Sequence, residues 1–117
     1  MPRGVPRGAR AMTQPSPPRR DARFVFAAQV LAADPATGTQ REGTVENISR
    51  GGCFVRMREP FHVWARLRLW IVYRCQQFEA EVSVTHARGG HGMGIQFEKI
   101  TPENQEMLEH WLREISG

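Results

Sequence analysis

Two short polar stretches hold the residue types from which a ligand site is built. One is Asn47-Ile48-Ser49-Arg50-Gly51-Gly52. A plain hairpin needs only a glycine pair or an Asn-Gly pair at its turn, so this stretch carries more hydrogen-bonding groups than a turn requires. The other is Arg19-Arg20-Asp21-Ala22-Arg23, in which Arg19 and Arg23 stand four apart just before the first apolar run. Arginine makes two-pronged hydrogen bonds to phosphate and to the O6/N7 edge of guanine, and it stacks on π faces. Asparagine and serine beside glycine-bared backbone suit a purine edge and a phosphodiester oxygen. Brought to one end of a domain, the two stretches form a pocket for an anionic guanine nucleotide.

Catalytic patterns are lacking. His62, His86, His91 and His110 show no HxxxH or HExxH spacing, so no metal site is expected. Ser49 has no G-x-S-x-G context. Gly89-Gly90-His91-Gly92 is neither a P-loop nor a dinucleotide fingerprint. We therefore expect no enzyme and no cofactor. Cys53 and Cys75 have no CxxC spacing and read as buried, reduced thiols of a cytoplasmic protein.

The net charge is +4, but residues 1–18 hold three arginines and no acid, which leaves +1 for residues 19–117. So nearly balanced a remainder does not support a general DNA footprint, and no DNA partner is expected. No run approaches the roughly 18 apolar residues of a membrane span, and no secretory signal is expected.

The elements that must position the two stretches follow from periodicity. Residues 1–18, rich in Pro, Gly and Arg, read as a disordered arm; residues 19–117 read as one domain. Strands are expected at Phe24–Leu31, Arg41–Glu46, Cys53–Arg58, Trp64–Val72, Phe78–His86 and Met93–Glu98. The fifth alternates most clearly, with Phe78, Ala80, Val82 and Val84 on one face and Glu79, Glu81, Ser83 and Thr85 on the other. Thr101 and Pro102 then open a helix whose stripe is Met107, Leu108, Trp111, Leu112 and Ile115. Trp64, Trp70 and Trp111 read as core. Six short strands and one helix imply a mostly β fold: a six-stranded antiparallel barrel, closed or nearly closed, with the C-terminal helix covering part of it.

In this setting the sequence resembles the PilZ domain family. Arg19-Arg20-Asp21-Ala22-Arg23 looks like the family's RxxxR motif, and Asn47-Ile48-Ser49-Arg50-Gly51-Gly52 fits its (D/N)xSxxG motif at a similar separation. Gly92-Met93-Gly94-Ile95-Gln96-Phe97, followed by Thr101-Pro102-Glu103, resembles the family's late strand and helix start. The resemblance covers about residues 19–116. It implies a six-stranded barrel that binds cyclic di-GMP through Arg19, Arg20, Arg23, Asn47, Ser49, Gly51 and Gly52. Arg19 and Arg23 would contact phosphate and guanine, Asn47 and Ser49 a guanine edge, and Gly52 would permit the close turn. Asp21 departs from that pattern by placing a carboxylate between the arginines, where an ion pair competes with ligand. The implied output is a signal to an unidentified protein effector in motility, pilus, biofilm or exopolysaccharide control. The rival expectation is a PilZ-like adaptor that acts by protein contacts without ligand.

Overall fold

The computed structural model describes residues 22–117. The arm 1–18 and Arg19, Arg20 and Asp21 lie outside the described residues. Six strands are followed by one helix: β1 (Phe24–Ala33), β2 (Gln40–Ile48), β3 (Gly52–Arg56), β4 (Arg66–Tyr73), β5 (Gln76–Arg88), β6 (Gly92–Lys99) and α1 (Pro102–Ser116). They close into a barrel in the order β1-β2-β3-β6-β5-β4, and every neighbouring pair is antiparallel.

Alternation decides which residues fill it. Phe26, Ala28, Val30 and Ala32 of β1 point inward, as do Leu67, Leu69 and Ile71 of β4 and Phe78, Ala80, Val82 and Val84 of β5. Strands of period two bury one face and leave the other to solvent. Closure pairs both edges of the sheet, which removes the exposed ladder that an open sheet leaves for aggregation.

Helix α1 completes the core. The Thr101 side chain accepts a hydrogen bond from the Asn104 amide at the N-cap, with Pro102 in the first turn. Leu108 and Trp111 are fully buried, and Met107, Leu112 and Ile115 pack partly against the same core. The Trp111 ring meets Phe26, Tyr73 and Phe78 at centroid distances of 5.4, 5.4 and 6.0 Å. Its indole N–H donates to Gln76 Oε1 at 2.8 Å, so the polar tip of a buried ring is satisfied.

Three expectations need correction. Trp64 is not core: it is 71 % exposed, in a turn with φ 73°. The chain bends there before β4 starts, with the Trp64 amide bonded to the Val84 carbonyl at 2.7 Å, so the ring is left outside. Trp70 is half-buried on the outer wall, because its neighbours Leu69 and Ile71 take the inside. Ser83 keeps the face opposite Val82 and Val84, as expected, but is buried there and donates to Glu98 Oε2 at 2.6 Å. The β5–β6 register shifts on either side of this stretch, between Glu81 and Val82 and between Val84 and His86, and is continuous across Val82, Ser83 and Val84. Cys53 is buried as expected, whereas Cys75 is exposed in the β4–β5 turn, where Arg74 and Cys75 both have positive φ.

Candidate functional site

The start of β1 and the bend between β2 and β3 come together because β1 and β2 form an antiparallel hairpin. Phe24 pairs with Ile48 and Val25 with Asn47, so whatever precedes Phe24 lies beside whatever follows Ile48. Arg23 immediately precedes the strand, and its Nη1 donates to Asn47 Oδ1 at 2.7 Å. Two irregularities shape this corner. The β1–β2 register shifts between Val25 and Ala28, and the β2–β3 register shifts between Val45 and Asn47. Bulges bend a strand and turn side chains away from strict alternation, and they occur often beside functional sites.

The bend is braced from within. Ser49 is buried; its hydroxyl accepts from the Gly51 amide at 3.3 Å and the Gly52 amide at 3.2 Å, and lies 3.2 Å from the Gly52 carbonyl, to which it donates. The Ser49 amide also bonds the Gly52 carbonyl at 2.8 Å. The Gly51 carbonyl accepts from the Phe97 amide of β6 at 2.9 Å, anchoring the bend to the next strand. Gly52 sits directly on the β6 backbone: a Cβ there would collide with the Ile95 carbonyl oxygen. Arg50 is exposed at the tip.

Of the residues singled out from sequence, the structure thus brings Arg23, Asn47, Ser49, Gly51 and Gly52 to one corner of the barrel. Arg19 and Arg20 fall outside the described residues. Ser49 and Gly52 hold the shape of the bend, while Arg23 and Asn47 present charged and amide groups to solvent.

Arg23 stands between two open cavities. One, of about 410 Å³, is lined by Arg23, Ser49, Gly51, Gly52, Thr85 and Gln96, among others. The other, of about 470 Å³, is lined by Arg23, Asn47, Phe54, His86, Arg88 and His91, among others. A larger hollow on the β1–β2–β4 wall, about 570 Å³, is lined by neither arginine nor lysine and touches neither polar stretch, so it offers no cation to a phosphate. Thr85, His86, Arg88, His91 and Gln96 were not singled out as site residues. Their part depends on β6 lying between β3 and β5, an arrangement that strand order in the sequence does not reveal.

Cys53 lies behind this corner, fully buried. Burial pushes its thiol up to about 12, with the nearby Arg23 guanidinium pulling weakly the other way. A neutral buried thiol is no nucleophile, so the corner has the equipment of a binding site and no activated cysteine. Among the described residues no group of three or more His, Cys, Asp and Glu side chains is placed to hold a metal ion, and no helix is long and apolar enough to cross a membrane.

A family model described as the PilZ domain matches residues 17–114. No curated protein matches the chain in sequence. Among solved structures, the PilZ domain of CeSA from a cellulose-synthesizing bacterium is similar with a TM-score of 0.66 and 16 % identity, over 82 % of this chain and 99 % of that one. The PilZ domain of YcgR from Escherichia coli, solved with cyclic di-GMP, is similar with a TM-score of 0.69 and 10 % identity, over 84 % and 91 %. The Bacillus subtilis inhibitor of motility MotI is similar with a TM-score of 0.66 and 21 % identity, over 82 % of this chain and half of that one. At these identities the likeness shows a shared fold.

Proposed function

The chain belongs to the PilZ domain family, and on that premise we propose that it is a receptor for cyclic di-GMP. Ligand binding draws the Arg19–Arg23 segment and the Asn47–Gly52 bend onto one dianionic guanine dinucleotide, and a protein partner reads the surface so formed. The observation that carries this reading is the 2.7 Å hydrogen bond between Arg23 and Asn47. It puts a guanidinium and an amide, side by side and exposed, at the mouth of a bend whose backbone is bared by glycine. The YcgR domain solved with cyclic di-GMP supplies the chemical class of the ligand. MotI, an inhibitor of motility, supplies a precedent for a protein-directed output.

The magnitudes are adequate. A micromolar dissociation constant requires about 8 kcal/mol. Each two-pronged arginine–guanine contact contributes roughly 1–3 kcal/mol of discrimination, and charge-assisted bonds to phosphate add to it. The ligand must also displace the Arg23–Asn47 bond, which is exposed and so costs little to exchange for a charged partner. No step of bond making or breaking belongs to this function.

A thermal melt of the full chain with and without cyclic di-GMP tests it. A ligand that binds only the folded state raises the midpoint. At a hundredfold excess over the dissociation constant the gain is about 2.7 kcal/mol, a rise on the order of 10 °C for a domain of this size. An adaptor that works without ligand predicts superimposable melts, and that result would refute the receptor reading.

A further inference from the structure

The outer wall of the barrel on β2, β1, β4 and β5, away from the arginine corner, carries an apolar patch between two carboxylates. Register lines up Glu42, Leu31, Trp70 and Glu79 in one row across the four strands. Leu31 and Trp70 are half-buried, and Val72, one row on, is 44 % exposed. All three line the hollow of about 570 Å³. Glu42 is exposed and forms no ion pair among the described residues. Glu79 shares the Arg68 guanidinium with Glu81, at 2.6 and 3.3 Å, so it is only partly neutralised. Arg41, next to Glu42, turns onto the Phe61 ring and the Glu59 and Pro60 carbonyls. The Trp70 face is therefore negative at both ends of its row.

The outward residues of β1 carry this patch back toward the hinge. They are Gln29, Ala27 and Val25, the last of them 89 % exposed. Cross-strand packing accounts for Leu31 against Trp70. It gives no role to a largely apolar track that runs on to the point where the rest of the chain enters, at Ala22.

The chemistry that fits this wall is apolar and cationic, and the N-terminal stretch of the same chain supplies it. Residues 1–18 hold Arg3, Arg7 and Arg10, no acid, and the apolar side chains Val5 and Met12. Arginine stacks on an indole face and forks to carboxylates, and methionine fills irregular apolar hollows. The length also matches. From Ala22 to Leu31 the strand rises about 30 Å, and the chain from Ala22 back to Met12 spans up to about 35 Å. A chain doubling back along β1 thus brings Met12 to the hollow and leaves Arg10, Arg7 and Arg3 for the acids beside Trp70.

We propose that residues 1–18 dock on this wall within the same chain, with arginine over Trp70 between Glu42 and Glu79 and Met12 in the hollow. A tethered segment has an effective concentration on the order of mM, so modest contacts hold it. The inference goes beyond the receptor reading and does not rest on it.

Paramagnetic relaxation in the isotope-labelled full chain, without ligand, tests the docking. A spin label is attached through Ala11→Cys in a Cys75→Ser background, since Cys75 is exposed and Cys53 is buried. The Trp70 indole N–H and the Leu31 and Val72 amides are expected to lose most of their intensity. The Phe54 and Gly94 amides, on the opposite wall of the barrel, are expected to keep theirs. Glu42→Lys, a change at an exposed and unpaired position, is expected to restore much of the Trp70 signal, as is Arg7→Glu combined with Arg10→Glu. Equal loss on both walls, or loss on neither, would overturn the proposal. So would a Trp70 signal that neither charge reversal moves. A mixture of spin-labelled chain with isotope-labelled chain that carries no spin label checks the occupant. Loss at Trp70 in that mixture would assign the wall to the arm of a second copy and overturn docking within one chain.

Discussion

Replacing Arg23 with alanine is expected to weaken cyclic di-GMP binding at least tenfold while leaving the fold intact. The side chain is exposed, and its Nη1 bond to Asn47 Oδ1 is a surface contact. Its loss should therefore cost the free protein no more than the few tenths of a kcal/mol typical of surface changes. Binding is different, because Arg23 lines both cavities. Truncation removes a charged fork from the middle of the ligand's path, and one two-pronged contact alone corresponds to roughly 1–3 kcal/mol. Arg23→Lys is expected to fall between the two, since it keeps the charge and loses the planar fork. Calorimetry and a melt of the free variant separate the effects. Unchanged affinity in Arg23→Ala would remove Arg23 from the site.

Gly52→Ala is expected to be the most damaging single-methyl substitution in this corner, through the fold first and the ligand second. The added Cβ meets the Ile95 carbonyl oxygen and carbon and the Gln96 Cα, all backbone atoms. No rotamer change relieves such a contact; β3 must move away from β6. That would strain the pairing of Gly52 with Gln96 and the bond from the Phe97 amide to the Gly51 carbonyl. Overpacking of this kind costs about 3 kcal/mol, which lowers the melting midpoint by more than about 10 °C in a domain of this size. Gly89→Ala is the matched control. A Cβ at Gly89 meets nothing within 4 Å, and its midpoint is expected to stay within a degree or two. A Gly52→Ala midpoint equal to the control's would contradict the close approach on which the bend depends.

Much of this architecture was legible because it depends on local signals. The alternation of Phe78, Ala80, Val82 and Val84 marked the inner face of β5, and the Thr101-Pro102 start with its apolar stripe marked α1. The meeting of Arg23 with Asn47 was also within reach, since consecutive strands usually pair and a hairpin returns the end of its second strand to the start of its first. What was not legible depends on local irregularities and on pairing between strands distant in sequence. Ser83 reads as a solvent-facing residue, but it is buried on its face by the contact with Glu98 of β6, to which it donates at 2.6 Å. Trp64 reads as a strand residue until the turn before β4 gives it a positive φ and leaves the ring in solvent. Phe54, His86 and Gly94 form a row only once β6 is known to lie between β3 and β5.

The buried Cys53 thiol illustrates the same division. Its burial follows from alternation in β3, but its position behind Arg23 follows from register, which pairs Phe24 with Ile48 and Ile48 with Cys53. In the same way, the two polar stretches announce a ligand by composition, whereas the division of labour between them is set by packing. Ser49 and Gly52 shape the bend from inside, and Arg23 and Asn47 face outward.

The central claim is that the arginine hinge and the glycine bend act on one ligand at one corner of the barrel. The most direct test is a nuclear magnetic resonance titration of the isotope-labelled full chain with cyclic di-GMP. It follows the Arg23 side-chain N–H signal together with the backbone amides of Gly51 and Gly52. All three are expected to move along a single binding curve with a common midpoint. Saturation of the ligand with either the Arg23 signal or both glycine amides left in place would contradict it.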